Sequence, residues 1–245
     1  MPGVFGLEAE GLQAIRSTAA FKVPDVIGVG ETEGQSEQRT QFLVLEYIPP
    51  APRSKNFFEV FGRQLAQMHQ ANHQESRFGF SSDNFIGSTP QKNTWHTDWV
   101  EFFATQRLEF QLKLANASNL ATPELNKGCD KLILQLDRFI GSSEPPALLH
   151  GDLWSGNYLI SQDGNPVLID PAAYFGAREC EFGMIKLFGG FNSQFYDACN
   201  EAYPLSEGWE QRTEIYQLYH LLNHLNLFGT SYLPQCLQIL RKLSG

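Results

Sequence analysis

The sequence is short of cysteine, of basic charge and of long apolar runs, and each shortage excludes something. Four cysteines, at 129, 180, 199 and 236, are spread over 245 residues, and none forms a Cys-x-x-Cys pair. The expectation is reduced, mostly buried thiols in a cytoplasmic protein. Cys180 is close in sequence to the motifs described below, but nothing marks it as a reactive thiol. Lysine and arginine number 18 against 27 acids, a net charge of −9. Such a chain repels phosphate backbones, so nucleic-acid binding through a basic face is not expected, although a small anion could bind in a locally positive pocket or at a metal. No stretch reaches the ~18 consecutive apolar residues of a membrane helix. Met-Pro-Gly-Val-Phe-Gly-Leu-Glu at the start lacks a basic region followed by an apolar core, so it does not read as a signal peptide. There is no internal repeat, low-complexity tract or long charge block.

What is present is ordinary globular composition, 42% hydrophobic and 18% charged, in a length that suits one large domain or two small lobes sharing a cleft. Residues 8–17 read as a short helix. Residues 40–48 (TQFLVLEYI) read as a strand stopped by Pro49 and Pro50, and 49–55 form the best lobe boundary. From residue 56 the pattern is mostly helical. Phe57, Phe61, Leu65 and Met68 make one apolar stripe, and Trp99, Phe102, Phe103 and Phe110 another after a loop at 76–96. Thr122-Pro123 marks a helix start, with Leu125, Cys129, Leu132, Leu136 and Phe139 on its buried face. Two further helices are expected at 209–228 and 233–243, broken near Gly229 and Pro234.

Residues 146–172 (PALLHGDLWSGNYLISQDGNPVLIDPA) differ in texture. Three short apolar runs are separated by polar loops, with Asp163-Gly164 at an expected hairpin turn. His150-Gly-Asp152 is followed by Asn157, and Asp170 ends the run PVLID thirteen residues later. This is the spacing of a protein-kinase catalytic loop and the metal-binding aspartate after it. Phosphoryl transfer needs a carboxylate to accept the proton of the attacking hydroxyl, and Asp152 fits. It also needs oxygen ligands for Mg²⁺, which Asn157 and Asp170 can supply once a hairpin brings them together. His150 is expected to brace the loop. The alternative, that Asp152 and Asp170 merely cap turns, gives no reason for two glycines, a tryptophan and an asparagine within eight residues.

LLHGDLWSGN at 148–157 and LIDPAAYFGARECEFGM at 168–184 closely resemble the fructosamine kinase (ketosamine-3-kinase) family, part of the aminoglycoside-phosphotransferase-like branch of the kinase fold. The segments 42–50, 78–111 and 214–229 extend the resemblance over about residues 5 to 243. It implies a two-lobed α+β fold: residues 1–50 the remnant of an ATP-binding lobe ending in the hinge, residues 51–245 a mainly helical catalytic and substrate-binding lobe. It implies ATP- and Mg²⁺-dependent phosphorylation of the 3-hydroxyl of a ketosamine, borne by a small or glycated amine or a protein, after which the adduct breaks down and releases the amine. By position, Asp152 is the proton acceptor, Asn157 and Asp170 hold Mg²⁺, and Trp154 lies beside the sugar. Glu46, Tyr47 and Ile48 form the adenine-binding hinge, and Glu8 matches the glutamate that pairs with the ATP-positioning lysine.

The family pattern places a glycine-rich turn and a lysine-bearing strand ahead of the Glu8 helix, and these 245 residues hold no substitute. GVGETEG at 28–34 matches no phosphate-loop pattern, and Lys22 follows the helix instead of preceding it. Losing both would weaken catalysis by several orders of magnitude, on the order of 10²–10³ per lost stabiliser. An internal start with further protein upstream, a fragment and a short form without catalysis all remain open, and the intact loop favours the first. Beside the ketosamine kinase stand two alternatives, a kinase for another hydroxylated amine and a non-catalytic pseudokinase that binds nucleotide or sugar.

Other residues have plainer readings. The i, i+4 pairs His69/His73 and His220/His224 are expected to be packed histidines in preference to metal ligands. Trp95, Trp99, Phe102 and Phe103 are core residues before they are a sugar pocket. Asp83 and Asn84 fit Asx turns as well as substrate contacts. Arg107 and Arg178 are candidates for internal salt bridges.

Overall fold

The computed structural model describes residues 3–32, 40–71, 75–141 and 144–244. Helix α1 (Val4–Ser17) starts four residues before the expected segment and buries Leu12 and Ile15. Near its C-terminus, Arg16 donates to the carbonyls of Val23 and Pro24 and pairs with Asp25, which fixes the turn into the first strand. Strand β1 (Val26–Thr32) pairs antiparallel with β2 (Thr40–Leu45), with Val29 opposite Leu43. Among the described residues this sheet has two strands, and it exposes Ile27, Val29, Phe42 and Val44. Of the glycine-containing stretch 28–34, residues 28–32 are β1 itself; Glu33 and Gly34 lie outside the described residues. The expected strand over 40–48 ends at Leu45, since two prolines follow closely and the chain must leave the sheet.

Helix α2 (Phe57–Gln70) buries Phe57, Phe61, Leu65 and Met68, the stripe its 3.6-residue period requires. Phe61 is a hub: its ring meets Phe21, Tyr158, Phe191 and Phe195 edge-on at 5.1–5.5 Å. Phe195 belongs to helix α8 (Ser193–Ala202), which packs along α2. Inside the expected loop 76–96 lies a hairpin of β3 (Asn84–Ile86) and β4 (Thr89–Gln91). Three-residue strands leave no period in the sequence.

The aromatic stripe folds as α3 (Trp99–Phe102), a π-helical stretch over Phe103–Glu109 and α4 (Phe110–Ala117). Trp99, Phe102 and Phe103 are fully buried in the core, the plainer of their two readings. Thr122 caps α5 (Pro123–Ile133), accepting from the Leu125 N–H at 3.2 Å. The helix expected to run past residue 136 breaks instead. Gln135 N–H donates back to Leu132 O, Leu134 is exposed, and α6 (Leu136–Ile140) restarts so that Leu136 and Ile140 both reach the core. Helices α9 (Trp209–Phe228) and α10 (Leu233–Ser244) stand where expected, with Pro234 inside the first turn of α10, where its missing N–H costs nothing.

Residues 147–176 contain four strands of three residues. β5 (Ala147–Leu149) pairs with β8 (Tyr174–Gly176), and β6 (Tyr158–Ile160) with β7 (Pro166–Leu168), all antiparallel. Gly164 (φ 77°) makes the predicted β6–β7 turn, its N–H donating to Ser161 O at 2.8 Å. Helix α7 (Glu181–Phe188) follows β8 after a short 3₁₀ turn.

Two expectations about charge resolve differently. Arg178 makes a bidentate pair with Glu144 at 2.8 and 3.0 Å, as expected. Among the described residues Arg107 makes no comparable pair. It is buried against Tyr174 and Phe102, 4.1 and 4.6 Å from the ring centres, and donates to Lys92 O and Asn93 Oδ1. Its charge is met by ring faces and carbonyl oxygens. All four cysteines are free and buried, and burial pushes each thiol up to about 12. Among the described residues no group of three or more His, Cys, Asp or Glu could hold a metal ion, and no helix is long and apolar enough to cross a membrane. His69 and His220 are buried, His220 driven down to about 3 by desolvation; His73 lies outside the described residues.

Candidate active site

Strand β5 is wholly buried and delivers His150 to the end of the sheet. His150 is buried too. Its Nε2 lies 2.9 Å from the Ile169 carbonyl, and its Nδ1 is 3.3 Å from the Asp152 N–H. One ring therefore ties the loop before Asp152 to the residue before Asp170, the bracing role expected of it. The β6–β7 hairpin does the rest. Ile169 N–H donates to Asn157 O at 3.1 Å, so Asn157 and Asp170 are brought back to the same end of the ladder. Asn157 Nδ2 donates to the Asp152 carbonyl at 2.8 Å and to its Oδ2 at 3.0 Å, which leaves the Asn157 amide oxygen for another partner.

Two backbone positions are forced. Asp170 has φ 52°, rare for a side-chain-bearing residue, at the point where its carboxylate must turn into the cleft. Gly151 has φ 81°, and a Cβ there would strike the Ala172 carbonyl. Gly151→Ala is therefore expected to cost about 2–4 kcal/mol, combining left-handed strain with a backbone clash. Urea unfolding would show it as a lower midpoint with an unchanged slope.

Sequence reasoning missed the residue that holds this loop from behind. Glu181, the first residue of α7, is buried and accepts from the His150 N–H at 2.6 Å and the Gly151 N–H at 3.0 Å. His69 Nε2 is 3.7 Å from the same carboxylate. The available signal was a carboxylate between Cys180 and Phe182 opening an apolar helix, where burial demands a partner. The β3–β4 hairpin supports the Asp170 segment through Gln91, which sequence reasoning missed, and through Asn84, which it read as an Asx turn or a substrate contact. Gln91 Nε2 donates to Ala172 O and Asn84 Nδ2 to Ala173 O, at 3.0 and 2.9 Å. Among the described residues Asp83 makes neither the expected Asx turn nor a contact in the cavities around Asp152: it accepts from the Asn93 N–H and from Lys92 Nζ across the hairpin.

Asp152 stands between two cavities. A small polar one, about 40 Å³, is lined by Glu8, Asn84, Asp152 and Asp170. A larger, mostly apolar one, about 270 Å³, also reaches Asp152 and is walled by Trp154, Met184, Phe188, His224, Leu227 and Phe228. Burial, with the Asp170 charge adding to it, pushes both Asp152 and Glu8 up to about 7. Among the described residues no lysine or arginine lines the polar cavity. Lys22 does not supply one, since its Nζ pairs with Glu46 at 3.1 Å. At the expected hinge, Tyr47 is exposed and Ile48 buried. The Glu46 N–H is taken by the Asp25 carbonyl at 2.8 Å, so that donor is not available to an adenine edge.

The architecture and the loop define a protein-kinase-like phosphotransferase with an alcohol acceptor. At the level of fold alone, the chain resembles an aminoglycoside phosphotransferase in ternary complex with ADP and hygromycin B (TM-score 0.62, 14% identity, 97% of this chain and 83% of that one). A crystal structure described as a fructosamine-3-kinase from Thermobifida fusca matches far better, with TM-score 0.87 and 37% identity over 100% of this chain and 82% of that chain. A protein-ribulosamine 3-kinase from Arabidopsis thaliana is 40% identical over 98% of this chain and 72% of its own length. A relative from Vibrio parahaemolyticus carrying the name ketoamine kinase is 42% identical, over 98% of this chain and 80% of the relative. The fructosamine kinase family model matches residues 1–244. The chain belongs to the fructosamine kinase family.

Proposed function

We propose that the chain transfers the γ-phosphoryl group of ATP to the sugar 3-hydroxyl of a ketosamine, a fructosamine or ribulosamine on a small amine or a protein, with Asp152 as proton acceptor. The observation that carries this reading is the position of Asp152 at the meeting point of the polar and the apolar cavity. A hydroxyl entering from the Trp154 side would meet the Asp152 carboxylate with Asp170 and Glu8 behind it. Trp154, about one-third exposed, offers its face to sugar C–H groups. The hinge Glu46–Ile48 would receive the adenine, Glu46 through its carbonyl.

The residues present fit Mg²⁺. Asp170 and the Asn157 amide oxygen are hard oxygen donors, and Mg²⁺ characteristically takes one or two such ligands and completes its shell with phosphate and water. When bound there, the ion would neutralise charge on the phosphoryl oxygens. This chain's own part is to hold the acceptor hydroxyl on Asp152 and take its proton, with Asn157 fixing the carboxylate's orientation.

ADP release from ATP and Mg²⁺ should require a ribulosamine or fructosamine, and aminoglycosides should not replace it. Trp154→Ala is expected to raise KM for the ketosamine about tenfold while KM for ATP stays within about twofold. A change confined to KM for ATP would remove Trp154 from the sugar site. No ketosamine-dependent ADP from the folded protein would overturn the proposal.

A further inference from the structure

The apolar cavity, about 270 Å³, extends outward from Trp154, and its outer half has a chemistry of its own. From Trp154 a continuous row of rings runs to the surface. Trp154 and Phe188 are 6.1 Å apart, Phe188 and His224 4.7 Å, and His224 and Phe228 5.3 Å. Phe188 is 37% exposed and Phe228 63%, unusual values for phenylalanines side by side around one opening. Leu227 and Met184 complete the apolar wall. Among the described residues its lining includes no lysine or arginine, and its one carboxylate is Asp152 at the inner end.

His224 adds direction. It is 2.8 Å from the His220 carbonyl through Nδ1, and a carbonyl only accepts, so Nδ1 carries the proton. Desolvation lowers its tendency to gain a second. The Nε2 lone pair is then an acceptor, and it makes no hydrogen bond among the described residues. A ketosamine carries its nitrogen on C1, two carbons from the hydroxyl-bearing C3. With the 3-hydroxyl at Asp152, the nitrogen and its substituent point out of the inner cavity.

We infer that the row Phe188–His224–Leu227–Phe228 is the subsite for the amine half of the substrate, and that it selects ketosamines with an apolar N-substituent over those with a carboxylate near the nitrogen. The secondary ammonium donates to His224 Nε2 and faces aromatic rings, which favour a cation. The substituent buries apolar surface on Phe188, Leu227 and Phe228. A carboxylate here would be desolvated with no cation to pair with. The inference rests on the reading of this cavity as the acceptor site.

The test compares two ribulosamines of the same sugar, one made from phenethylamine and one from glycine. Binding to the full chain is followed by calorimetry and phosphorylation by ADP release. The phenethylamine adduct is expected to bind about tenfold or more tighter, as one buried ring implies. Phe228→Asp, at an exposed position that should tolerate the change, is expected to bring the ratio down to about twofold or less. His224→Phe, which keeps the ring row, is expected to weaken both adducts by a similar factor. If the wild type binds both equally, or Phe228→Asp leaves the ratio as it was, the inference fails while the ketosamine reading stands. If neither adduct binds or is phosphorylated, both fall.

Discussion

Asp152→Asn is expected to lower turnover by about 10²–10⁴-fold, the range for removing a general base, while nucleotide affinity changes little. The same substitution should stabilise the ligand-free protein. Burial and the nearby Asp170 raise the Asp152 carboxyl from 3.8 to about 7. The folded protein therefore keeps a proton that the unfolded chain gives up from about pH 4. Stability tied to that proton is present below the unfolded value and is lost as pH rises through about 7. Glu8 acts in the same direction. An asparagine has no charge to bury and can still accept from Asn157 Nδ2, which now bonds Oδ2. The variant should melt about 2–4 °C higher than the parent at pH 8, for a gain of about 1 kcal/mol, with a clearly narrower gap at pH 5. Thermal unfolding at the two pH values checks it; a lower melting temperature at pH 8 would contradict this account of the carboxylate cluster.

The second large effect belongs to Glu181. Glu181→Leu removes the acceptor of two buried N–H groups, those of His150 and Gly151, at the point where β5 enters the catalytic loop. Each orphaned donor costs about 1–3 kcal/mol, so a loss of about 2–5 kcal/mol is expected. In a chain of this length that lowers the melting temperature by about 5–15 °C. Glu181→Gln, which keeps one carbonyl oxygen, should recover a good part of the loss. Melting temperatures of the two variants against the parent decide it, and a change under about 2 °C for the leucine variant would mean that the loop does not depend on this carboxylate.

The catalytic hairpin was legible because several local signals agreed there. Short apolar runs, the Asp163-Gly164 turn and the spacing from His150 to Asp170 all specify one arrangement. The Thr122-Pro123 start and the α2 stripe were legible for similar reasons, a cap side chain and a sustained 3.6-residue period. What stayed hidden depends on partners distant in sequence. The β3–β4 hairpin is too short for periodicity, yet it holds the carbonyls after Asp170. Arg107 gave no sign that rings and carbonyls would replace a carboxylate, because its partners lie on three separate segments. Glu181 belongs to no motif legible in the sequence, and only the fold brings it under Gly151, thirty residues back along the chain. The outer wall of the acceptor cavity combines Phe188 of α7 with His224, Leu227 and Phe228 of α9, residues that read separately as ordinary helix faces.

The most direct test of the central claim is the identity of the product. The chain would be incubated with ATP, Mg²⁺ and a ribulosamine, and the reaction followed by phosphorus and carbon NMR beside the Asp152→Asn variant. A phosphate ester on the C3 oxygen, formed by the parent and absent with the variant, is the predicted result. ADP formed with no phosphorylated sugar, a phosphate on another hydroxyl, or equal product from the variant would contradict it.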